Sequence, residues 1–213
     1  MQPPIRILLA DDHAIVRAGY RHLLERQAGL EVVAETDNAQ DAYLLYRKLQ
    51  PDIFITDISM PGPSGLDAIR RVLLVAPEAR ILVFSMHVSP DFAQAALQAG
   101  ASGYITKSSS PDVLLRAIPQ ALAGRQTLSP DIAQILALAR LSGEKTPLQK
   151  LTPREFDILC MLMSARDAEQ IGSALHLSAK TVQNLHYQIK HKLGVGSDIE
   201  LTKLALSWGL GVT

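Results

Sequence analysis

The sequence predicts an α/β fold, a doubly wound five-stranded parallel sheet with helices on both faces, followed by a small all-α domain. Three observations carry this. From residue 5 to about 120, short apolar runs alternate with longer segments of helical period. The runs are continuous rather than alternating in hydropathy, as in parallel strands buried on both faces and joined by right-handed crossovers. From Leu151 onward the strand signal stops and only short helices follow.

In chain order, IRILLA (5–10) is the first strand and a helix over about 13–27 follows it. EVVAET (31–36) leads to a helix over 38–49, DIFITD (52–57) to one over 65–76, RILVFS (80–85) to one over 90–99, and GYIT (103–106) to one over 111–123. Each apolar run has strand length, and each intervening segment is long enough for a crossover helix. A further helical run spans about 130–140. LSGEKTPLQK (141–150) then reads as an exposed linker, from its Gly, Pro and charges. Four short helices follow at about 153–164, 167–175, 179–193 and 198–207. Thr152, Pro153 and Glu155 form a capping box at the first of these, and Ser178 is the N-cap of the third. Cys160 is expected to be buried among Ile158, Leu159, Leu162 and Met163, and Trp208 to close the last helix onto the core. The division is therefore 1–122, a helical linker over 123–150, and 151–213.

Composition excludes several classes of function. At 213 residues and 47% hydrophobic the chain is globular, and its 21 basic and 21 acidic residues give no bulk attraction to nucleic acid or membrane. Any charge-driven function must be local. One cysteine rules out an intrachain disulfide framework or a cysteine-rich zinc site, which fits a reducing compartment. The longest stretch free of Asp, Glu, Lys and Arg is Phe92 to Thr106, too short and too polar to span a bilayer. Residues 1–10 do not read as a signal peptide, and a cytoplasmic location is the expectation. From Gln170 to Ser197 there is no acid, while Lys180, Lys190, Lys192, His176, His186 and His191 fall there, so one face of the second domain is expected to be positive.

In a doubly wound sheet, ligands bind beyond the carboxyl ends of the strands. Asp11 and Asp12 follow the first strand, Asp57 ends the third, Ser85 ends the fourth and Lys107 lies past the fifth, so all five converge on one edge. Three carboxylates held together repel, and a set of hard oxygens suits octahedral Mg²⁺ that keeps water. A phosphoryl group on Asp57 gives each part a role: the metal and Lys107 neutralise its oxygens, and the Ser85 hydroxyl donates to one. Asp11 and Asp12 beside His13 also suit the opening of the first helix, and Asp12 can serve both ends. His13 and His87 read as loop or cap residues, since oxygen ligands suffice.

LLADDH, ITDISMPGPSGLDAIR, VFSMH and AGASGYITK, in this order, resemble the receiver domain of a bacterial response regulator, over about residues 4–122. The resemblance implies a flavodoxin-like fold, Asp57 as phosphoacceptor, Asp11, Asp12, Asp57 and the backbone carbonyl of Ser59 as Mg²⁺ ligands, and Lys107 as a phosphate contact. Ser85 and Tyr104 would be a switch pair, the hydroxyl moving to the phosphoryl oxygen and the ring turning inward behind it. Pro61 and Gly65 would shape the loop after Asp57.

In the second domain, Leu175 together with Leu177, Val182, Leu185, Ile189 and Leu193 of LSAKTVQNLHYQIKHKLGV (177–195) supplies an apolar stripe at helical spacing. The segment's other face is polar and acid-free. Cations and hydroxyls suit phosphates, and amide side chains can pair with adenine. Residues 151–210 resemble the LuxR-type helix-turn-helix of the NarL/FixJ response regulators, through LTPRE, TV and KLGV in matching register. By position, Gln183, Asn184 and Tyr187 would face bases, and Lys180, Thr181, Lys190 and Lys192 would tend toward phosphates. Glu169 stands where the family has Lys, Gln183 where it is often basic, Leu185 where His is frequent, and Gly196 where Arg is usual. These departures imply weak monomeric binding that leans on dimerisation or a partner at the promoter.

Together these features imply a two-component regulator, not an enzyme: a sensor histidine kinase phosphorylates Asp57, and the modified receiver releases or dimerises the helix-turn-helix domain for promoter DNA. An aspartyl-phosphate phosphatase would want a second Asp two residues after the nucleophile, where Ser59 stands. A phosphorylation-independent regulator or adaptor acting through protein contacts is the alternative.

Overall fold

The computed structural model describes residues 3–60, 64–142, 147–208 and 210. Strands β1 (Ile5–Ala10), β2 (Leu30–Thr36), β3 (Ile53–Thr56), β4 (Ile81–Ser85), β5 (Gly103–Thr106) and β6 (Thr127–Leu128) form one parallel sheet in the order β2-β1-β3-β4-β5-β6. Helices α1 (Ala14–Glu25), α2 (Ala39–Leu49), α3 (Gly65–Val75), α4 (Pro90–Gln98) and α5 (Pro111–Leu122) cover it. Pleating sends alternate residues to opposite faces. Ile7, Leu9, Ile55 and Phe84 therefore pack with Leu24 of α1 and Leu114 and Ile118 of α5, while Leu8, Phe54 and Val83 pack with Ala42, Ile69 and Phe92 of α2, α3 and α4.

The sheet has six strands among the described residues, not five. β6 is two residues long and exists by pairing: Thr127 and Leu128 register with Gly103 and Tyr104, and a Cβ at Gly103 would collide with Thr127. No local pattern in so short a segment distinguishes a strand from a loop. After β6, α6 (Pro130–Ser142) packs on α4 and β5, burying Ile132 and Leu136. The end of the expected linker is ordered against the fold. Pro147–Lys150 is a 3₁₀ turn with Leu148 only 5% exposed; part of the expected linker, 143–146, lies outside the described residues.

Helices α7 (Pro153–Met163), α8 (Ala168–Leu175), α9 (Ala179–Leu193) and α10 (Asp198–Ser207) make the second unit. The Thr152–Glu155 capping box forms as expected, and Asp167 with Gln170 makes another at α8. The first helix differs at its start. Its N-cap is His13, without a side-chain cap bond, and Asp11 Oδ1 accepts the His13 amide at 2.9 Å, so Asp12 is left to face the strand ends.

One apolar cluster continues from the α3–α4 face of the sheet into the helical domain, where the Phe92 and Phe156 rings meet edge to face with centroids 5.5 Å apart. Beside them the buried Asp157 carboxylate accepts from Ser64 Oγ at 2.6 Å and from Arg70 Nη1 at 2.8 Å. The two units are thus docked through α7.

Candidate functional site

Parallel strands end on one side, and β1, β3, β4 and β5 are adjacent, so Asp11, Asp57, Ser85 and Lys107 meet there. Lys107 Nζ lies 2.5 Å from Asp57 Oδ2 and 2.7 Å from Asp11 Oδ2, with all three side chains almost fully buried. Burial by itself would depress the Lys107 ammonium, but the Asp57 and Asp11 carboxylates outweigh it and hold its pKa above the usual lysine value. Asp57 Oδ1 accepts the amides of Ile58 (2.6 Å) and Ser59 (3.3 Å), which fixes the carboxylate against the loop. Gly65 completes that loop: its amide donates to the Ile58 carbonyl at 2.8 Å, and a Cβ there would run into the Asp57 carbonyl oxygen. Pro61 lies outside the described residues.

Oxygens of Asp11, Asp12 and Asp57, together with a nitrogen of His13, lie within 4.8 Å of one another. Burial raises the Asp12 carboxyl above its ordinary pKa, with His13 opposing and Asp57 and Asp11 adding to the rise. A donor set of three crowded carboxylates fits a hard divalent cation, which would relieve this repulsion. His13 Nδ1 sits 2.8 Å from Asp12 Oδ1, as a partner of the acid.

Among the described residues Ser85 Oγ is buried and makes no hydrogen bond of good geometry, with the Tyr104 hydroxyl as its neighbour, so it can donate to an acceptor arriving at Asp57. Tyr104 is fully buried, with its hydroxyl donating to the His87 carbonyl at 2.8 Å. His87 lies in the loop between β4 and α4, as expected. Its Nε2 is 2.5 Å from Ser59 Oγ and its ring stacks on Phe92, so it joins the acidic site to the α4 packing. Burial lowers its pKa, favouring the neutral ring.

The second candidate site is α9. Ser178 caps it through the Thr181 amide, and Val182, Ile189 and Leu193 face the core. Lys180, Thr181, Gln183, Asn184 and Tyr187 are exposed, Tyr187 to 69%. The expected positive face is smaller than the sequence implied. Lys190 and His186 share Asp198 of α10 at 2.8 and 3.1 Å. Lys192 is turned inward onto Glu155, a buried carboxylate 2.6 Å away, so its charge is spent on the α7–α9 contact rather than presented to a phosphate. Both acids lie outside the acid-free stretch 170–197.

A cavity of about 570 Å³ lies over Asp57, between the units; Asp57, Ser85 and Lys107 line one side and Cys160, Met163 and Arg166 the other. Cys160 is therefore a partly exposed lining residue and not fully enclosed packing, although its surroundings raise its thiol pKa. The sequence offered one hint of this docking: Asp157 is a carboxylate among the apolar residues Phe156, Ile158 and Leu159.

Residues 7–119 match the response regulator receiver domain family, and residues 149–205 match the bacterial regulatory proteins of the luxR family. The chain is 36% identical to Response regulator UvrY of Escherichia coli (strain K12) over 208 residues, which is 97% of this chain and 95% of that protein. It is 37% identical to Response regulator GacA of Pseudomonas aeruginosa over 208 residues, 97% of each chain. The structure of RcsB from Salmonella enterica serovar Typhimurium bound to promoter rprA in the presence of the phosphomimetic BeF3- superposes with a TM-score of 0.76 at 28% identity, covering 94% of this chain and 97% of that one. A receiver half with its acids and lysine gathered at the strand ends, joined to a LuxR-type half with an open third helix, places the chain among the NarL/FixJ-type two-component response regulators.

Proposed function

We propose that Asp57 accepts a phosphoryl group from a sensor histidine kinase, and that this controls promoter binding by α9. The observation that carries the reading is the Lys107 ammonium held between Asp57 and Asp11 beside the buried Ser85 hydroxyl. Asp11, Asp12, Asp57 and the Ser59 carbonyl would hold Mg²⁺, which would neutralise charge at the acceptor oxygens. Lys107 then exchanges its Asp57 contact for a phosphoryl oxygen, and Ser85 donates to another. The buried Tyr104 ring fills the space behind Ser85. The chain acts as a phosphoacceptor and DNA-binding regulator rather than as an enzyme on a separate substrate, with a receiver over 1–122, a linker over 123–150 and a DNA-binding domain over 151–213.

On DNA, Gln183, Asn184 and Tyr187 face bases while Lys180 and Thr181 hold phosphates, Lys190 joining once released from Asp198. Exposed Ile199 and Leu206 on α10 supply an apolar face for a homodimer. The match to RcsB on promoter DNA supports a domain arrangement compatible with DNA binding. No helix among the described residues is long and apolar enough to cross a membrane, in keeping with a cytoplasmic regulator.

The test is intact mass after incubation with acetyl phosphate, with and without Mg²⁺, beside Asp57→Asn. A Mg²⁺-dependent gain of one phosphoryl group that the variant lacks is expected; no gain in either chain sinks the acceptor role. The internal pairing of Lys190 and Lys192 favours one second reading, a regulator acting mainly through protein contacts. Promoter affinity that is weak and insensitive to salt would select it.

A further inference from the structure

The cavity over Asp57 is not closed by the receiver alone. The helical domain forms its opposite wall and is held there by the Asp157 carboxylate on Ser64 and Arg70, and by Phe156 against Phe92. Ser64 immediately precedes Gly65, whose amide bonds to the Ile58 carbonyl, so this clamp grips the loop that follows Asp57. Of the residues that the helical domain brings to the cavity, Arg166 is the cation among Cys160, Met163, Ser164 and Leu210. Among the described residues its guanidinium has no carboxylate partner, unlike that of Arg70 across the clamp.

Its backbone is fixed on both sides. Ala165 adopts a left-handed conformation (φ 55°), the Arg166 amide bonds to the Met161 carbonyl, and Asp167 caps α8. The charge at the acceptor leaves room for it. With a divalent cation bound, Asp11, Asp12, a phosphoryl group on Asp57 and Lys107 together retain about one negative charge in excess. Guanidinium suits that deficit, since its planar fork binds two phosphoryl oxygens at once, which an ammonium cannot do.

We propose that Arg166 completes the phosphoryl pocket from the helical domain, so that modification of Asp57 strengthens the docked arrangement instead of releasing it. This rests on the reading of Asp57 as the phosphoacceptor. A group that binds the docked state better than the separated one shifts the chain toward docking by that difference in affinity. Docking leaves Gln183, Asn184 and Tyr187 exposed, so a closed, phosphorylated chain still presents its DNA face.

Beryllofluoride with Mg²⁺ is the probe, titrated into the full-length chain and followed by fluorine NMR, with Asp57→Asn as the non-binding reference. Arg166→Ala is expected to weaken binding at least about tenfold, the loss of one charge-assisted hydrogen bond. Arg166→Lys recovers only part of it. Asp157→Asn, which loosens the clamp, gives a similar loss, and the double variant loses no more, because both changes remove the same contact. Small-angle scattering should show no expansion of the wild-type chain on loading. Equal affinity in wild type and Arg166→Ala, with unchanged melting, overturns the proposal, as does expansion of the wild type. If the wild type fails to bind the probe at all, the acceptor reading falls, and Arg166 with it.

Discussion

Lys107, Glu155 and Asp91 show how one environment, burial, acts in opposite directions according to what accompanies it. Lys107 and Glu155 are buried with opposite charges and stay ionised; at Asp91, near the start of α4, burial pushes the carboxyl up to about 6. For Glu155 burial raises the pKa, but Lys192 and the Thr152 cap bonds outweigh it, leaving a net lowering from the ordinary 4.5. Its contribution to stability is therefore present above about pH 4.5 and is lost as pH falls through the lower folded-state value. Glu155→Gln should cost about 1.5–3 kcal/mol at pH 7, by loss of a hydrogen bond between charged groups. Melting curves should show that difference closing in acid. Asp91 has the opposite sign. Its folded pKa is raised from 3.8, so ionisation costs stability progressively between about pH 4 and 6, and the whole cost applies above that. Asp91→Asn should raise the melting temperature at pH 7 and leave it unchanged at pH 4; a gain that is equal at both pH values would contradict burial as the cause.

At the scale of elements, caps and apolar runs set most boundaries. The run 103–106 is β5, α9 spans the expected 179–193, and α1 covers 14–25 of the expected 13–27. β6 escaped because its two residues have no period, and its existence depends on a glycine 24 residues earlier leaving room for Thr127. Gly103→Ala should push β6 off the sheet edge at a cost of about 1–3 kcal/mol, typical of overpacking. Hydrogen exchange at the Thr127 and Ser129 amides, which bond to Ser102 and Tyr104, should accelerate more than exchange within β1. The acidic site was legible for a related reason: a parallel sheet puts every carboxyl end on one edge, so residues that follow adjacent strands meet wherever their loops lead. The His87–Ser59 contact was not, since two separate loops have to converge to make it.

For the whole molecule, neutrality at the level of composition persists into the surface of α9. Asp198 holds both Lys190 and His186, which keeps the exposed face of α9 less positive than its sequence. Asp198→Asn should free Lys190 and tighten promoter binding severalfold, with a steeper fall of affinity as salt rises, since one more phosphate is neutralised. Gel-shift titrations at several salt concentrations would check both; an unchanged slope would mean that Lys190 faces no phosphate. Docking acts at the same scale. The α/β and helical units share one apolar cluster, so the Asp57 edge of the sheet and helix α7 are walls of a single cavity.

The sequence by itself determined the local and periodic features: strand and helix order, the capping boxes, the strand-end acids with Lys107, and an open polar face on α9. Each depends on neighbours in the chain or on the pleat and helix repeats, which the order of residues specifies directly. Only the tertiary structure decided which cations are already paired, that a sixth strand joins the sheet, and that α7 docks beside Asp57. Ser64 and Asp157 are 93 residues apart, and a carboxylate so placed is a solvated surface group or a buried clamp according to packing that no local pattern encodes.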